Sequence, residues 1–192
     1  CIRDRTWLGF GNYIEMWHDD RVHVALKNNL LWLVFFLLAP PLSLGLGIFL
    51  NQGFKELRFI KSLFFFPFVI SPVVVGIIFS WFYNPKYGLL DSFLVGAGLE
   101  SVALLSNEDL VSFGIIIAAM WPQVAYCLIL YMTGLAGLNQ EMIEAGRIDG
   151  ARGWPMFWNI ILPQLKPATF IAVVVSVLGA LRSYDLIAIM TQ

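Results

Sequence analysis

Charge is scarce in this sequence. Of its 192 residues 13% are charged, with 12 Lys and Arg against 13 Asp and Glu, a net −1 at pH 7. Soluble domains carry about 25% charged residues. The balance leaves no basic face for nucleic acid. Cysteine is nearly absent too. Cys1 and Cys127 are far apart and no CxxC occurs, which excludes a disulfide framework and a vicinal redox pair. No HExxH or Cys/His cluster occurs, and His18 and His23, five apart in a polar tail, read as surface histidines. The sequence lacks GxxxxGK[ST], so it does not hold a nucleotide in a P-loop. No nucleophile–base pattern stands out, and no signal peptide is visible. The chain opens on "CIRDRTWLGFGNY" without Met and reads as a fragment of a longer protein.

What is present is apolar. Hydrophobic residues make up 59% of the chain, and the mean hydropathy is +0.76. A soluble fold of this size cannot hide that much apolar surface. Three charge-free runs, 30–50, 62–83 and 110–138, each exceed the 20 or so residues that cross a hydrocarbon core. A fourth run, 167–181, is short, but the apolar pattern resumes after Asp185, which predicts one span over 168–190 with Arg182 and Asp185 in its outer half, three apart, as a possible ion pair. The expected fold is all-α, a polytopic membrane helix bundle. Residues 1–29 form a tail and pre-span segment, and 30–192 form the membrane core with a loop at 139–167. Pro40, Pro41, Pro67, Pro72 and Pro122 lie inside the spans, where each removes a helix hydrogen bond.

Loop charge sets the sidedness. Lys55, Arg58 and Lys61 face one acid, Glu56, in the 51–61 loop, whereas the 84–109 loop carries Lys86 against Asp91, Glu100, Glu108 and Asp109. The positive-inside rule puts the first loop in the cytoplasm and the second outside. The 139–167 loop then lies in the cytoplasm and the tail outside, although Arg3, Arg5, Arg21 and Lys27 in that tail argue the other way.

The 139–167 loop is marked for a short helix. Asn139 is an N-cap residue, Leu138 and Ile143 stand at staple positions, and Glu141 lies in the first turn. Gly150 suits a left-handed stop. These signals predict a helix over 140–149. A second helix is expected from about Trp154, with Pro155 in its first turn, to about Leu162, with Pro163 and Pro167 marking re-entry into the membrane. A stiff polar helix that ends in glycine suits docking to a partner; an interfacial position on lipid headgroups is the more ordinary role of such a helix.

Intramembrane polar groups face a cavity or a partner. Ser71, Gln123, Tyr126, Ser176, Ser183 and Asp185 are the candidates for a pathway, with Phe68, Trp121 and Tyr184 as aromatic faces. Hydroxyl-bearing rings such as sugars suit that mixture. Each residue taken singly fits helix packing at least as well.

Glu144-Ala145-Gly146, three residues, Gly150, nine residues, then Ile160-x-Leu162-Pro163 resembles the EAA motif of ABC importer permeases at every spacing. "DGA" at 149–151, "LPQLKP" at 162–167, "FFFPFVISPVVVGIIFSWFYNPKYGLLD" and "RSYDLIAIMTQ" are similar to carbohydrate-type members, above all the first permease of oligosaccharide and glycerol-phosphate importers. Gly146 departs from the pattern, which has alanine there, and Pro155 looks unusual for the group. The resemblance implies a type I importer transmembrane domain with four of about six core spans in this chain. It implies a transporter subunit of a bacterial or archaeal cytoplasmic membrane, not an enzyme. The loop would insert a coupling helix into a cytoplasmic ATPase dimer, through Glu144, Ala145, Gly146, Asp149, Gly150, Ala151, Leu162 and Pro163. ATP and Mg would sit on that separate chain, with no cofactor in this one. A second homologous permease and a periplasmic or lipid-anchored binding protein would complete the importer. The alternative is a stand-alone secondary transporter or channel.

Overall fold

The computed structural model describes residues 9–51, 57–107, 110–182 and 184–191, and the side chains of 57, 58, 184 and 185 lie outside that description. Among the described residues the chain is helical, without strands. A short helix α1 (Gly11–Trp17) precedes α2 (Asp20–Leu50). Asp19 caps α2 by accepting the Arg21 N–H at 2.9 Å. The first span therefore starts ten residues earlier than its charge-free core, because a cap and an acidic first turn let the polar segment 20–29 join the helix. Pro40 and Pro41 lie inside this continuous 31-residue helix. The other uninterrupted span is α6 (Val111–Ala136), which contains Pro122. These two helices are each long and apolar enough to cross a membrane.

The expected single span over 62–83 is instead two helices, α3 (Leu57–Val69) and α4 (Pro72–Phe82), bent by 105°. The cause is local. Ser71 adopts an extended conformation and caps α4, accepting the Val74 N–H at 3.4 Å. Pro72 stands at the start of α4, where its missing N–H costs nothing. The pair still follows α6 toward its start. Phe65 packs near Leu128, Phe68 stacks on Tyr126 with ring centroids 5.3 Å apart, and the Tyr83 hydroxyl donates to the Gly114 carbonyl at 3.1 Å.

The fourth span departs in the same way. After α5 (Leu89–Gly96) and α6, the loop carries α7 (Gln140–Ile148). A run of α8 (Trp154–Met156), a π-helical segment (Phe157–Ile161) and α9 (Leu162–Gln164) follows. Then come α10 (Lys166–Leu181) and α11 (Tyr184–Met190), so the span expected over 168–190 is interrupted next to Arg182. α11 packs on α4: a Cβ added to Gly76 would lie 3.0 Å from Ile189 Cγ2. The broken halves of two spans thus dock on each other, which returns Val75, Leu186 and Met190 to the core.

The central packing is α2 against α6 and α10. Polar pegs lock it. Ser43 is wholly buried and donates to the Val124 carbonyl at 2.9 Å. Such cross-helix bonds in membranes are worth about 0.6 kcal/mol on average. Tyr131, Leu165 and Ala172 close the core at the far end, beside the loop.

Candidate coupling loop and pathway residues

The loop helix forms as its end signals predict. Asn139 is extended and its Oδ1 accepts the Met142 N–H at 3.2 Å. Glu141 lies in the first turn and Arg147 in the last, both favourable to the helix dipole. The helix closes at Ile148, with Asp149 as C-cap. Gly150 takes φ +84. Its N–H donates to the Arg147 carbonyl at 3.2 Å, and the Ala151 N–H reaches the Gly146 carbonyl at 2.8 Å. This is a Schellman close, which satisfies two orphan carbonyls and needs the left-handed residue that glycine supplies.

Exposure divides the expected docking residues. Glu144, Ala145, Asp149, Gly150 and Pro163 are exposed, and Ala151 and Leu162 are half-buried. Gly146 is buried, so it does not belong to the outward face where the sequence placed it. A Cβ on Gly146 would run into the Ile160 side chain and lie 3.5 Å from Met156 Cε. The departure from alanine thus sits where α7 packs against Ile160 of the π-helical segment. Sequence reasoning passed over Ile148, which is 86% exposed beside Asp149. Its only sequence signal is an apolar residue between two charges at a helix end.

The supporting run bends by 70° between Trp154–Gln164 and Lys166–Leu181. The π-helical segment ends against Pro163, which has no N–H to continue an α ladder. The Gln164 side chain reaches both ways. Its Oε1 accepts the Asn139 N–H at 2.8 Å, and its Nε2 donates to the Ile160 carbonyl at 3.1 Å. Trp154 and Trp158 meet edge-on at 5.7 Å and are largely exposed, the amphipathic pattern of a membrane interface. A concavity of about 880 Å³ beside them is lined by Asn51, Gln140 and Arg147 as well as by apolar residues. The end of α2 and the loop helix therefore share one end of the bundle.

The pathway candidates do not gather in one place. Gln123 and Ser176 do meet: Gln123 Nε2 donates to Ser176 Oγ at 3.0 Å. Ser176 is wholly buried and its hydroxyl passes the chain on to the Ala172 carbonyl at 2.8 Å. Phe68 and Tyr126 form the stacked pair described above, and Ser71 is engaged as a cap. Trp121 stands edge-on to Phe79 at 5.8 Å and, alone among the described candidates, lines an apolar concavity of about 690 Å³ between α2, α3, α4 and α6. Ser183 and the side chains of Tyr184 and Asp185 lie outside the described residues, as does any Arg182–Asp185 pair.

Residues 31–192 match the family described as "binding-protein-dependent transport system inner membrane component". The chain is 33% identical to the probable ABC transporter permease protein YurN of Bacillus subtilis, over 95% of this chain and 64% of that protein. It is 30% identical to the osmoprotective compounds uptake permease protein GgtC of Synechocystis, over 98% of this chain and 70% of that one. It is 28% identical to the trehalose/maltose transport system permease protein MalF of Thermococcus litoralis, over 99% and 65%. The fold is similar to a chain of a bacterial ABC transporter involved in the import of alginate, with TM-score 0.78 and 23% identity over 90% of this chain and 62% of that one. The chain therefore spans about two thirds of the length of these relatives. The match over 31–192, the EAA spacing and the capped loop helix agree, and the chain belongs to the binding-protein-dependent transport system inner membrane component family.

Proposed function

We propose that the chain is part of a permease subunit of an ATP-driven importer that moves a sugar or related polyol by alternating access. The observation that carries the reading is the loop helix itself. α7 is capped at both ends, rests on the Trp154–Gln164 run through Gly146, and turns Glu144, Ala145, Ile148, Asp149 and Gly150 outward. A rigid polar helix with one exposed apolar residue at its tip suits a cleft on a soluble partner. In this reading the partner is a cytoplasmic ATPase dimer, and ATP with Mg²⁺ belongs to that chain. A second homologous permease completes the membrane unit and a binding protein delivers substrate from outside. Membership of a binding-protein-dependent family weighs against a stand-alone carrier or channel.

The substrate class rests on two supports. Relatives with printed substrates include a trehalose/maltose permease and an alpha-glucoside permease. In this chain Phe68, Trp121 and Tyr126 are partly exposed aromatic residues, of the type on which an apolar sugar face stacks. Gln123, with Ser183, Tyr184 and Asp185, supplies the polar side of the proposed path, whereas Ser176 is taken up in helix packing and Ser71 in capping α4.

The test is the intact complex in proteoliposomes. Wild type is expected to show ATP-dependent uptake. Asp149→Lys, or Gly150→Pro, which removes the N–H bonded to Arg147, is expected to abolish uptake and substrate-stimulated hydrolysis while the complex assembles. Normal coupling in both variants would overturn the proposal.

A further inference from the structure

We infer that Gln164 is a positioning residue that clamps the loop helix to the base of the last span, so that α7 and α10 move as one body. The inference rests on the coupling reading above and names the part of this chain that transmits the motion.

The argument starts at the first turn of α7. An N-cap residue presents a backbone N–H that a Glu or Gln at the third helical position commonly satisfies. Here that position is Met142, which has no such acceptor. The Asn139 N–H goes instead to Gln164 Oε1, 25 residues away, at 2.8 Å. The same amide is held from its other side, because Nε2 donates to the Ile160 carbonyl one turn back. Gln164 therefore completes a cap that the local sequence leaves open, and it does so from the other arm of the loop.

A second attachment lies further along α7. Gly146 packs against the side chain of Ile160, whose carbonyl also anchors Gln164. The two attachments are seven residues apart on α7, about 10 Å at 1.5 Å per residue. One attachment permits pivoting, whereas two at that separation hold the helix axis. Beyond Gln164 the chain passes through Leu165, which is wholly buried and, with Ala168, faces Gly134 of α6. α10 begins at the next residue and packs on α2 and α6. A push on the exposed tip of α7 is thus delivered to α10 through Gln164.

Three variants test this in the complete transporter. Gln164→Met keeps length and removes both hydrogen bonds. Gln164→Glu keeps the acceptor for Asn139. Met142→Glu, added to Gln164→Met, restores an acceptor for the Asn139 N–H locally without the tie to the other arm. With Gln164→Met the complex assembles and uptake per ATP hydrolysed falls about tenfold, within the usual range of coupling free energies. Gln164→Glu keeps at least half of the wild-type ratio. Met142→Glu recovers thermal stability in the double variant but not the ratio. Wild-type coupling in Gln164→Met, or recovery of coupling by Met142→Glu, would reduce Gln164 to a cap and overturn the inference. A readout that needs no transport separates this from failure of the coupling reading itself. Spin labels at Ala145→Cys and Phe170→Cys are expected to give one narrow distance distribution that broadens in Gln164→Met. An unchanged distribution would overturn the clamp even in a complex that transports, and a broadened one would sustain it even if wild type showed no ATP-driven uptake.

Discussion

Gly146 of the loop helix lies so close to Ile160 of the π-helical segment that a methyl group on the glycine has no room unless the isoleucine moves. Both residues belong to the same spaced motif, so one half of the motif packs on the other. The pair explains why the helix bears a residue that costs about 1 kcal/mol of helix propensity relative to alanine. Close packing against Ile160 is what the glycine permits. A double-mutant cycle checks this. Gly146→Ala is expected to be neutral or destabilising in the wild-type background and stabilising by up to about 1 kcal/mol with Ile160→Val, an interaction within the range seen for residues in contact. Thermal unfolding in detergent measures it, and additive effects would remove the explanation.

Ile148 offers a separate test at the tip of the same helix. It is 86% exposed, and burying such a side chain contributes about 1.5–3 kcal/mol. Ile148→Ser is expected to weaken association with the ATPase at least tenfold, by about 1.4 kcal/mol. The thermal stability of the isolated permease should not change. Equal association of the two proteins would show that Ile148 stays outside the contact.

Much of this loop was legible because its determinants are local. Asn139, Glu141 and Gly150 are end signals read within a few residues, and the helix forms between them. The long apolar runs likewise gave α2 and α6, since span length follows from bilayer thickness. The Ile70–Ser71 break was not legible from hydropathy, which is high on both sides. Ser71-Pro72, a cap followed by a first-turn proline, is the signal that marks it. The interruption beside Arg182 escaped for the same reason, because the apolar pattern resumes directly. Gln164 was visible only as one residue of "LPQLKP". Its partner Asn139 is 25 positions away, and no periodicity links them.

The docking of the broken spans on each other gives a third prediction. α4 meets α11 across Gly76, where a Cβ would lie 3.0 Å from Ile189 Cγ2. Gly76→Leu is expected to force the two short helices apart and to destabilise the protein by about 1–3 kcal/mol, the usual cost of overpacking. Differential scanning fluorimetry of the purified protein reads the effect. An unchanged unfolding temperature would show that the contact is not tight in the membrane bundle.

Gln123 and Ser176 yield to a fourth test that separates a packing role from a pathway role. Their bond at 3.0 Å joins α6 to α10 at a wholly buried serine. Ser176→Ala is expected to lower stability by about 0.6–2 kcal/mol. Tyr126→Ala, which removes a partly exposed ring, is expected to raise the transport KM about tenfold, within the 1–3 kcal/mol carried by a hydrophobic pocket contact. Uptake kinetics and thermal unfolding on both variants assign the roles, and the reverse pattern would exchange them.

Cross-linking in the intact importer tests the central claim most directly. Ala145 is exposed on the outward face of the loop helix, whereas Leu99 lies in the loop beyond α4 and α5. With a cysteine-reactive cross-linker, Ala145→Cys is predicted to join the ATPase subunit, with an efficiency that changes when ATP is added. Leu99→Cys is predicted to give no ATPase adduct. If Ala145→Cys fails to reach the ATPase in an assembled, active complex, the loop helix is not the coupling element.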